Sequence, residues 1–160
     1  MRLLRSPSGW SGYAITVAAA LFAHLAWATI CLGFLFITAS APPGAGEATL
    51  PDGWSGLALI WLDAPIEELS FRMPLAIPAM LRRETLLAPM VAVLSIVFGL
   101  AHGTDLWHVC AQGGAGLILS FVFLRCGGLY GHPLRGWSLS TATHALYNSA
   151  LWVVVRLAGS

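Results

Sequence analysis

The sequence has few charged residues and no lysine. Of its 160 residues, 9% are charged, 58% are hydrophobic, and all 8 basic side chains are arginines. Soluble domains carry about 25% charged residues, so this composition excludes an ordinary soluble domain. With a net charge of +1, the chain also lacks the basic surface that binds a phosphate backbone, and we expect no nucleic-acid partner. A lipid bilayer is the expected environment.

Cysteine is scarce as well. Cys31, Cys110 and Cys126 are odd in number and show no CxxC spacing. The sequence therefore indicates neither a disulfide framework nor a thiolate metal site. We interpret the three cysteines as small packing residues within the membrane.

Long apolar runs are abundant. A membrane-spanning helix needs about 20 apolar residues, so the chain has room for about five or six spans. This predicts an all-α, polytopic transmembrane helix bundle, with residues 1–160 forming a single domain and its motif-bearing core at 54–157. The first run, Tyr13–Ile37, is longer than the apolar part of a signal peptide, and we expect it to be a retained span.

Four further runs follow the first. They are predicted at Trp54–Leu81, Leu86–Ala101, Leu106–Leu124 and Trp137–Leu157, with loops at Ser40–Gly53 and Arg125–Gly136. Prolines and charged residues interrupt the Trp54–Leu81 run, which predicts a broken helix. Six arginines fall on one side of this arrangement, which places the N-terminus in the cytoplasm by the positive-inside rule. They are Arg2, Arg5, Arg82, Arg83, Arg125 and Arg135.

Ionisable residues interrupt the second run. A charged side chain costs at least about 2.5 kcal/mol to insert into a membrane, so it is found mainly where it forms an ion pair or has a functional role. Glu68 and Arg72 are four residues apart on one helix face, which predicts an ion pair. Glu67 lies about 100° further around the helix, and a carboxylate in a low-dielectric site exchanges protons more readily near neutral pH. We predict Glu67 as a general base, with a purely structural salt-bridge network as the alternative.

Two later runs each carry a histidine. His102 follows Phe98 by one helical turn, and His144 precedes Asn148 by one turn. Taken singly, each histidine is explained equally well by a structural hydrogen bond to a neighbouring helix or by a catalytic role. Phe98 alone is explained by packing, and Asn148 alone by a hydrogen bond between helices. Together with the Glu-Glu-Arg helix, they supply a base, a group that positions water and donors for an oxyanion. The combination favours a hydrolytic site.

Other polar and small residues are weaker candidates for a site. We interpret His24, in the first run, as a packing residue, and Asp105 as a solvated residue at a helix end. Gly113, Gly114 and Gly116 indicate a place where helices approach closely.

Three segments, EELSFR at 67–72, FGLAH at 98–102 and HALYN at 144–148, resemble in order the motifs of the CPBP intramembrane protease family. This family includes the CAAX-prenyl endopeptidases. The resemblance implies a glutamate-dependent endopeptidase in which Glu67 and His102 activate water. It further implies that His144 and Asn148 stabilise the oxyanion. Glu68, Arg72 and Phe98 would support the site, while Met73 replaces a glycine found in many relatives.

The resemblance also shapes the expected cofactor, substrate and location. It implies a metal-free site; zinc, held by one glutamate and two histidines, is the alternative, although the chain has no HExxH motif. The expected substrate is a membrane-anchored protein or peptide, including the C-terminal sorting anchors that small bacterial relatives trim. We expect the protein in a bacterial inner membrane. A non-proteolytic immunity or scaffold protein of the same family is the alternative function, and a small transporter is a third.

Overall fold

The computed structural model describes Pro7, residues 9–37 and residues 54–158. Within these residues the chain is helical and contains no strand. The helices are α1 (Gly9–Ile37), α2 (Trp54–Arg72), α3 (Ala76–Met80), α4 (Leu87–His102), α5 (Leu106–Cys126) and α6 (Pro133–Ala158). Single 3-10 turns lie at Met73–Leu75, Glu84–Leu86 and Gly128–Tyr130. The predicted all-α class is confirmed.

Among the described residues, 3 segments are long and apolar enough to cross a membrane. They are Gly9–Leu35, Glu84–His102 and Leu106–Tyr130. Helices α2 and α6, of 19 and 26 residues, are long as well but carry most of the polar side chains. These apolar segments, together with the all-helical fold, confirm the predicted transmembrane bundle.

The outer surface of the bundle is apolar. One stripe of α1 is buried, with members spaced mostly three or four residues apart, while large side chains such as Phe22, Ile30 and Phe34 are exposed. Buried polar residues, including Glu68 and Arg72, lie inside. A bilayer demands this arrangement, because lipid chains offer no hydrogen bonds to polar groups.

The second predicted span is broken, as its prolines indicated. Helix α2 ends at Arg72, Pro74 lies in the following 3-10 turn, and the short α3 follows. Proline has no amide hydrogen to continue the helical ladder. Pro65 lies inside α2 without ending it, and its carbonyl accepts a hydrogen bond of 3.1 Å from Trp137 Nε1 on α6. This bond ties α2 to α6 beside the Glu-Glu pair.

Two predicted boundaries are wrong. Helix α6 begins at Pro133, so the loop predicted to reach Gly136 is shorter, and α1 begins at Gly9, before Tyr13. Proline suits the first turn of a helix, where no amide hydrogen is needed, which explains the early start of α6. The loop predicted at 40–53 lies outside the described residues, and so do Arg2 and Arg5.

Helix α5 packs against α1, α4 and α6, while α2 packs against α6 and α4. Glycines permit the close crossing of α4 and α5. A Cβ on Gly99 would lie 2.7 Å from Val109 Cα, and one on Gly116 would lie 3.2 Å from Ser95 Cα. A Cβ on Gly113 would lie 3.1 Å from the Ser95 carbonyl oxygen, so the close approach predicted at Gly113 and Gly116 is confirmed, and Gly99 is an addition to the prediction. The crossing holds Phe98 and, one turn later, His102 in place.

Candidate active site

Helix α2 carries a buried ion pair. Glu68 and Arg72 are both fully buried, and Arg72 Nε lies 3.4 Å from Glu68 Oε2. The ion pair predicted from their spacing is confirmed. Because an unpaired buried charge is costly, each of these residues makes the burial of the other possible.

The second oxygen of Glu68 contacts α6. His144 Nδ1 lies 3.2 Å from Glu68 Oε1, and since a carboxylate only accepts, His144 donates through Nδ1–H. The buried Ser140, one turn before His144, also lies against the Glu68 carboxyl. Sequence reasoning assigned Glu68 to Arg72 alone and missed both contacts. One feature of the sequence could have indicated a further partner for Glu68. The i,i+4 pair with Arg72 uses only one oxygen of the carboxylate and leaves the other without a partner.

His102 is the last residue of α4. Its Nδ1 lies 2.8 Å from the Phe98 carbonyl oxygen, and because a carbonyl only accepts, Nδ1 carries the hydrogen. The opposite ring nitrogen, Nε2, lies 3.8 Å from Glu67 Oε2. One backbone hydrogen bond thus sets both the tautomer and the direction of the ring.

Glu67 lies between the two histidines. Its Oε2 is 3.8 Å from His102 Nε2 and 3.7 Å from His144 Nε2. Both distances exceed the hydrogen-bond range. The exposed side-chain fractions are 32% for Glu67 and 28% for His102, against 6% for His144. A reactant therefore reaches the site from the Glu67 and His102 side, with His144 behind them.

Phe98 is the packing centre of the site. Its buried ring lies 4.6 Å from the His102 ring and 5.9 Å from the His144 ring, between centroids. Arg72 Cζ lies 4.8 Å from the Phe98 centroid, a cation–π contact that helps to compensate the buried charge. One aromatic side chain thus contacts residues from α2, α4 and α6.

The structure brings the predicted residues of three distant segments together. Asn148 lies on α6 one turn after His144, and its side chain is partly buried. The predicted residues that meet through direct contacts are Glu67, Glu68, Arg72, Phe98, His102 and His144.

Comparison with known proteins gives one match. A family model described as type II CAAX prenyl endopeptidase Rce1-like matches residues 49–150. The chain belongs to this family. The matched range contains every predicted site residue from Glu67 to Asn148. No curated protein and no solved structure matched the chain. Membership in the Rce1-like family, with the apolar helices, makes this a membrane protein with a CAAX-type intramembrane protease role.

The sequence predicted a metal-free site, with zinc as the alternative. Across the described segments, no group of three or more His, Cys, Asp or Glu side chains is arranged to hold a metal ion. Glu67, His102 and His144 converge, with Glu67 Oε2 at 3.8 Å and 3.7 Å from the two Nε2 atoms.

Asp105 stabilises the turn that follows His102. Asp105 caps α5: its Oδ1 accepts from His108 N at 3.0 Å, and its Oδ2 lies 2.6 Å from His108 Nδ1. The backbone hydrogen bond from His108, followed by the bond to its side chain, holds the pKa of Asp105 below its usual value. Asp105 was predicted only to be a solvated residue at a helix end. It also caps the first turn of α5, next to the site.

Proposed function

We propose that this chain is an intramembrane glutamic endopeptidase that hydrolyses a peptide bond of a membrane-anchored protein or peptide. One observation carries the proposal: Glu67 Oε2 lies between the Nε2 atoms of His102 and His144 inside an Rce1-like bundle. The site contains a base, two imidazoles and an amide. These groups suffice for attack by water, without a serine or cysteine nucleophile.

Water activation is assigned to Glu67 and His102, the more exposed residues of the site. An oxygen atom about 2.8 Å from both groups fits beside two atoms that are 3.8 Å apart. Glu67 takes a proton from this water while His102 holds it. The water oxygen then bonds to the carbonyl carbon of the substrate, and the carbonyl π electrons move to the oxygen.

Stabilisation of the resulting oxyanion is assigned to His144 and Asn148. Glu68 accepts from His144 Nδ1–H, and its carboxylate compensates the positive charge of a His144 that carries a second proton on Nε2. That Nε2–H and the side-chain amide of Asn148 donate to the oxyanion. Loss of one such donor typically lowers kcat by about 10²- to 10³-fold.

Cleavage completes the cycle. The tetrahedral intermediate collapses, the C–N bond breaks, and the leaving nitrogen takes the proton from Glu67. The products are a carboxylic acid and an amine, Glu67 returns to its ionised form, and the new acid then passes its proton to the amine. We propose that no metal ion takes part in these steps.

We further propose that the substrates are C-terminal sorting anchors of exported proteins in a bacterial inner membrane. The arginine-only, alanine-rich composition is compatible with such a source. A scissile bond beside a membrane anchor would meet His102 at the end of α4, where the helix leaves its apolar span.

Glu67→Gln tests the proposed base. The full chain is reconstituted in lipid vesicles with a reporter protein that carries one C-terminal spanning helix, and cleavage is followed by mass spectrometry. Because general base catalysis contributes about 10²- to 10⁴-fold, kcat should fall by that factor. Glu84→Gln, at an exposed glutamate outside the site, should keep full activity. A chelator should leave the rate of the unmodified protein unchanged.

Two outcomes would overturn parts of this proposal. Full activity of a folded Glu67→Gln variant would exclude Glu67 as the base. Activity that a chelator abolishes and zinc restores would exclude the metal-free mechanism. Absence of cleavage by the unmodified protein, with this reporter and with a prenylated CAAX peptide, would argue against proteolysis itself.

A further inference from the structure

His24 is a buried histidine on α1, outside the residues that match the Rce1-like family. Its side chain is 1% exposed. Nδ1 lies 3.0 Å from the Ala20 carbonyl oxygen, and since a carbonyl only accepts, Nδ1 carries the hydrogen. The ring is therefore locked in one orientation by its own helix, in the way that Phe98 locks His102.

The locked ring faces the part of α6 that carries the site. The His24 and Tyr147 ring centroids are 4.6 Å apart, with an interplanar angle of 33°. Tyr147 immediately precedes Asn148 and lies about one turn after His144. The contact thus lies directly behind the two proposed oxyanion donors.

Helix α1 is anchored to α5 about one turn after His24. There, Trp27 Nε1 donates to the carbonyls of Cys110 and Ala111, at 3.2 and 3.1 Å. A ring presented from a fixed helix can hold a neighbouring helix in register.

Packing alone accounts poorly for a histidine at this position. The His24 ring also lies near the backbone of Ala115 on α5, but its buried Nε2 makes no hydrogen bond within the described residues. A buried polar atom without a partner is unfavourable, so leucine or phenylalanine would fill the same space more stably. What histidine adds is the Nδ1–H bond to Ala20, which fixes the plane of the ring against Tyr147.

We propose that His24 is a positioning residue: through its contact with Tyr147, it fixes the rotation of the α6 turn that carries His144 and Asn148. The catalytic consequence rests on the proposed function. A misplacement of about 1 Å at a reacting group can cost about 100-fold in rate. Helix α1 then completes the site in addition to spanning the membrane.

The test compares His24→Leu, which loses both the ring and its lock, with His24→Phe, which keeps a ring. In the vesicle assay, His24→Leu should lower kcat about 10- to 100-fold and change KM little. His24→Phe should recover only part of that loss, because it keeps a ring but loses the hydrogen bond to Ala20. Tyr13→Leu is the matched control, because it removes an aromatic from the same buried stripe about 16 Å away along the helix. It should lower the melting temperature while kcat stays unchanged.

Two further readouts separate positioning from general stability. His24→Leu combined with Tyr147→Leu should be no slower than the slower single variant, because the two residues act through one contact. In nitrogen-15 NMR of the histidine side chains, the His144 signals should move in His24→Leu and stay in place in Tyr13→Leu.

The proposal is overturned if kcat and the His144 signals of His24→Leu match those of the unmodified protein, or if Tyr13→Leu changes them equally. If His24→Leu fails to fold, His24→Phe and Tyr147→Leu are compared with the unmodified protein instead. The proposal is then overturned if their kcat and His144 signals are unchanged. If the unmodified protein cleaves neither reporter, the proposed function fails, but the NMR comparison still decides whether His24 positions α6.

Discussion

Glu68 connects two of the helices that form the site. One of its oxygens faces Arg72 and the other accepts from His144, so two helices depend on one carboxylate. Arg72 is fully buried and lies over the Phe98 ring. Without the Glu68 charge, Arg72 would be a buried cation with no anion in contact, and His144 would lose the acceptor that orients it. We therefore assign Glu68 a supporting role, with consequences for stability as well as for catalysis.

Glu68→Gln should destabilise the protein strongly. Removing one partner of a buried ion pair typically costs about 3 to 5 kcal/mol, because the other charge stays buried without compensation. Thermal unfolding in detergent should show a clear drop in melting temperature relative to Glu84→Gln, whose glutamate is exposed. Equal melting temperatures for the two variants would contradict the role of the Glu68–Arg72 pair.

Only the local part of this network could be predicted from sequence. The Glu68–Arg72 pair follows from a spacing of four residues on a helix. The His144–Glu68 hydrogen bond joins residues 76 positions apart, and no local pattern specifies such a contact. Phe98 was expected as a supporting residue, but its position between Arg72 and both histidines depends on how three helices cross.

At the level of helices, the crossing of α4 and α5 determines where His102 lies. Gly99 brings the two backbones into contact one turn before His102, and the turn at 103–105 reverses the chain. Asp105 then starts α5 with two hydrogen bonds to His108. The position of His102 therefore depends on a glycine on one side and a helix cap on the other.

Gly99→Ala should loosen this crossing. The added methyl group would lie 2.7 Å from Val109 Cα and 2.9 Å from the His108 carbonyl oxygen. These are backbone atoms, so the helices must separate, and such overpacking typically costs about 1 to 3 kcal/mol. The melting temperature should fall, and kcat with it. Gly33→Ala is the control, because a Cβ there meets no atom within 4 Å; an equal effect of both variants would refute the explanation.

The cap of α5 should give stability a dependence on acidic pH. The pKa of Asp105 is below its usual value in the folded protein, so its carboxylate stabilises the fold at pH values above about 4, the usual aspartate range. This contribution declines as the pH falls below that range, through the lowered pKa. Asp105→Asn removes this carboxylate. Between pH 7 and pH 3, its melting temperature should therefore fall less than that of the unmodified protein. An unchanged pH profile would argue against the cap.

Helix existence was easier to predict than helix ends. Apolar runs identified α1, α4 and α5, because a bilayer requires about 20 apolar residues for each span. The start of α6 was placed too late, since Pro133 was counted with the loop although proline suits the first turn of a helix. The short α3 was hidden within the second run, where the prolines indicated a break but not a separate helix.

Across the whole molecule, four of the six arginines in the described residues lie at one end of the bundle, while Arg156 lies in the last turn of α6 at the other. Arg82 and Arg83 precede α4, and Arg125 and Arg135 lie where α5 ends and α6 begins. These segments meet, since one cavity of about 680 Å³ is lined by residues from 84–91 and from 124–130. His102 lies at the opposite end of α4, which is about 24 Å long. The arginine-rich end and the His102 end of α4 therefore face opposite sides of the membrane.

This polarity predicts which compartment the site serves. By the positive-inside rule we expect the arginine-rich end to be cytoplasmic, so we predict that the Glu67 and His102 side opens outwards, as the proposed removal of anchors from exported proteins requires. In a chain with its three cysteines replaced, Thr104→Cys should react with a membrane-impermeant thiol reagent added to intact bacterial spheroplasts. Thr85→Cys, at the other end of α4 and equally exposed, should react only after lysis. The reverse pattern would place the site on the cytoplasmic side and redirect the search for substrates to proteins anchored there.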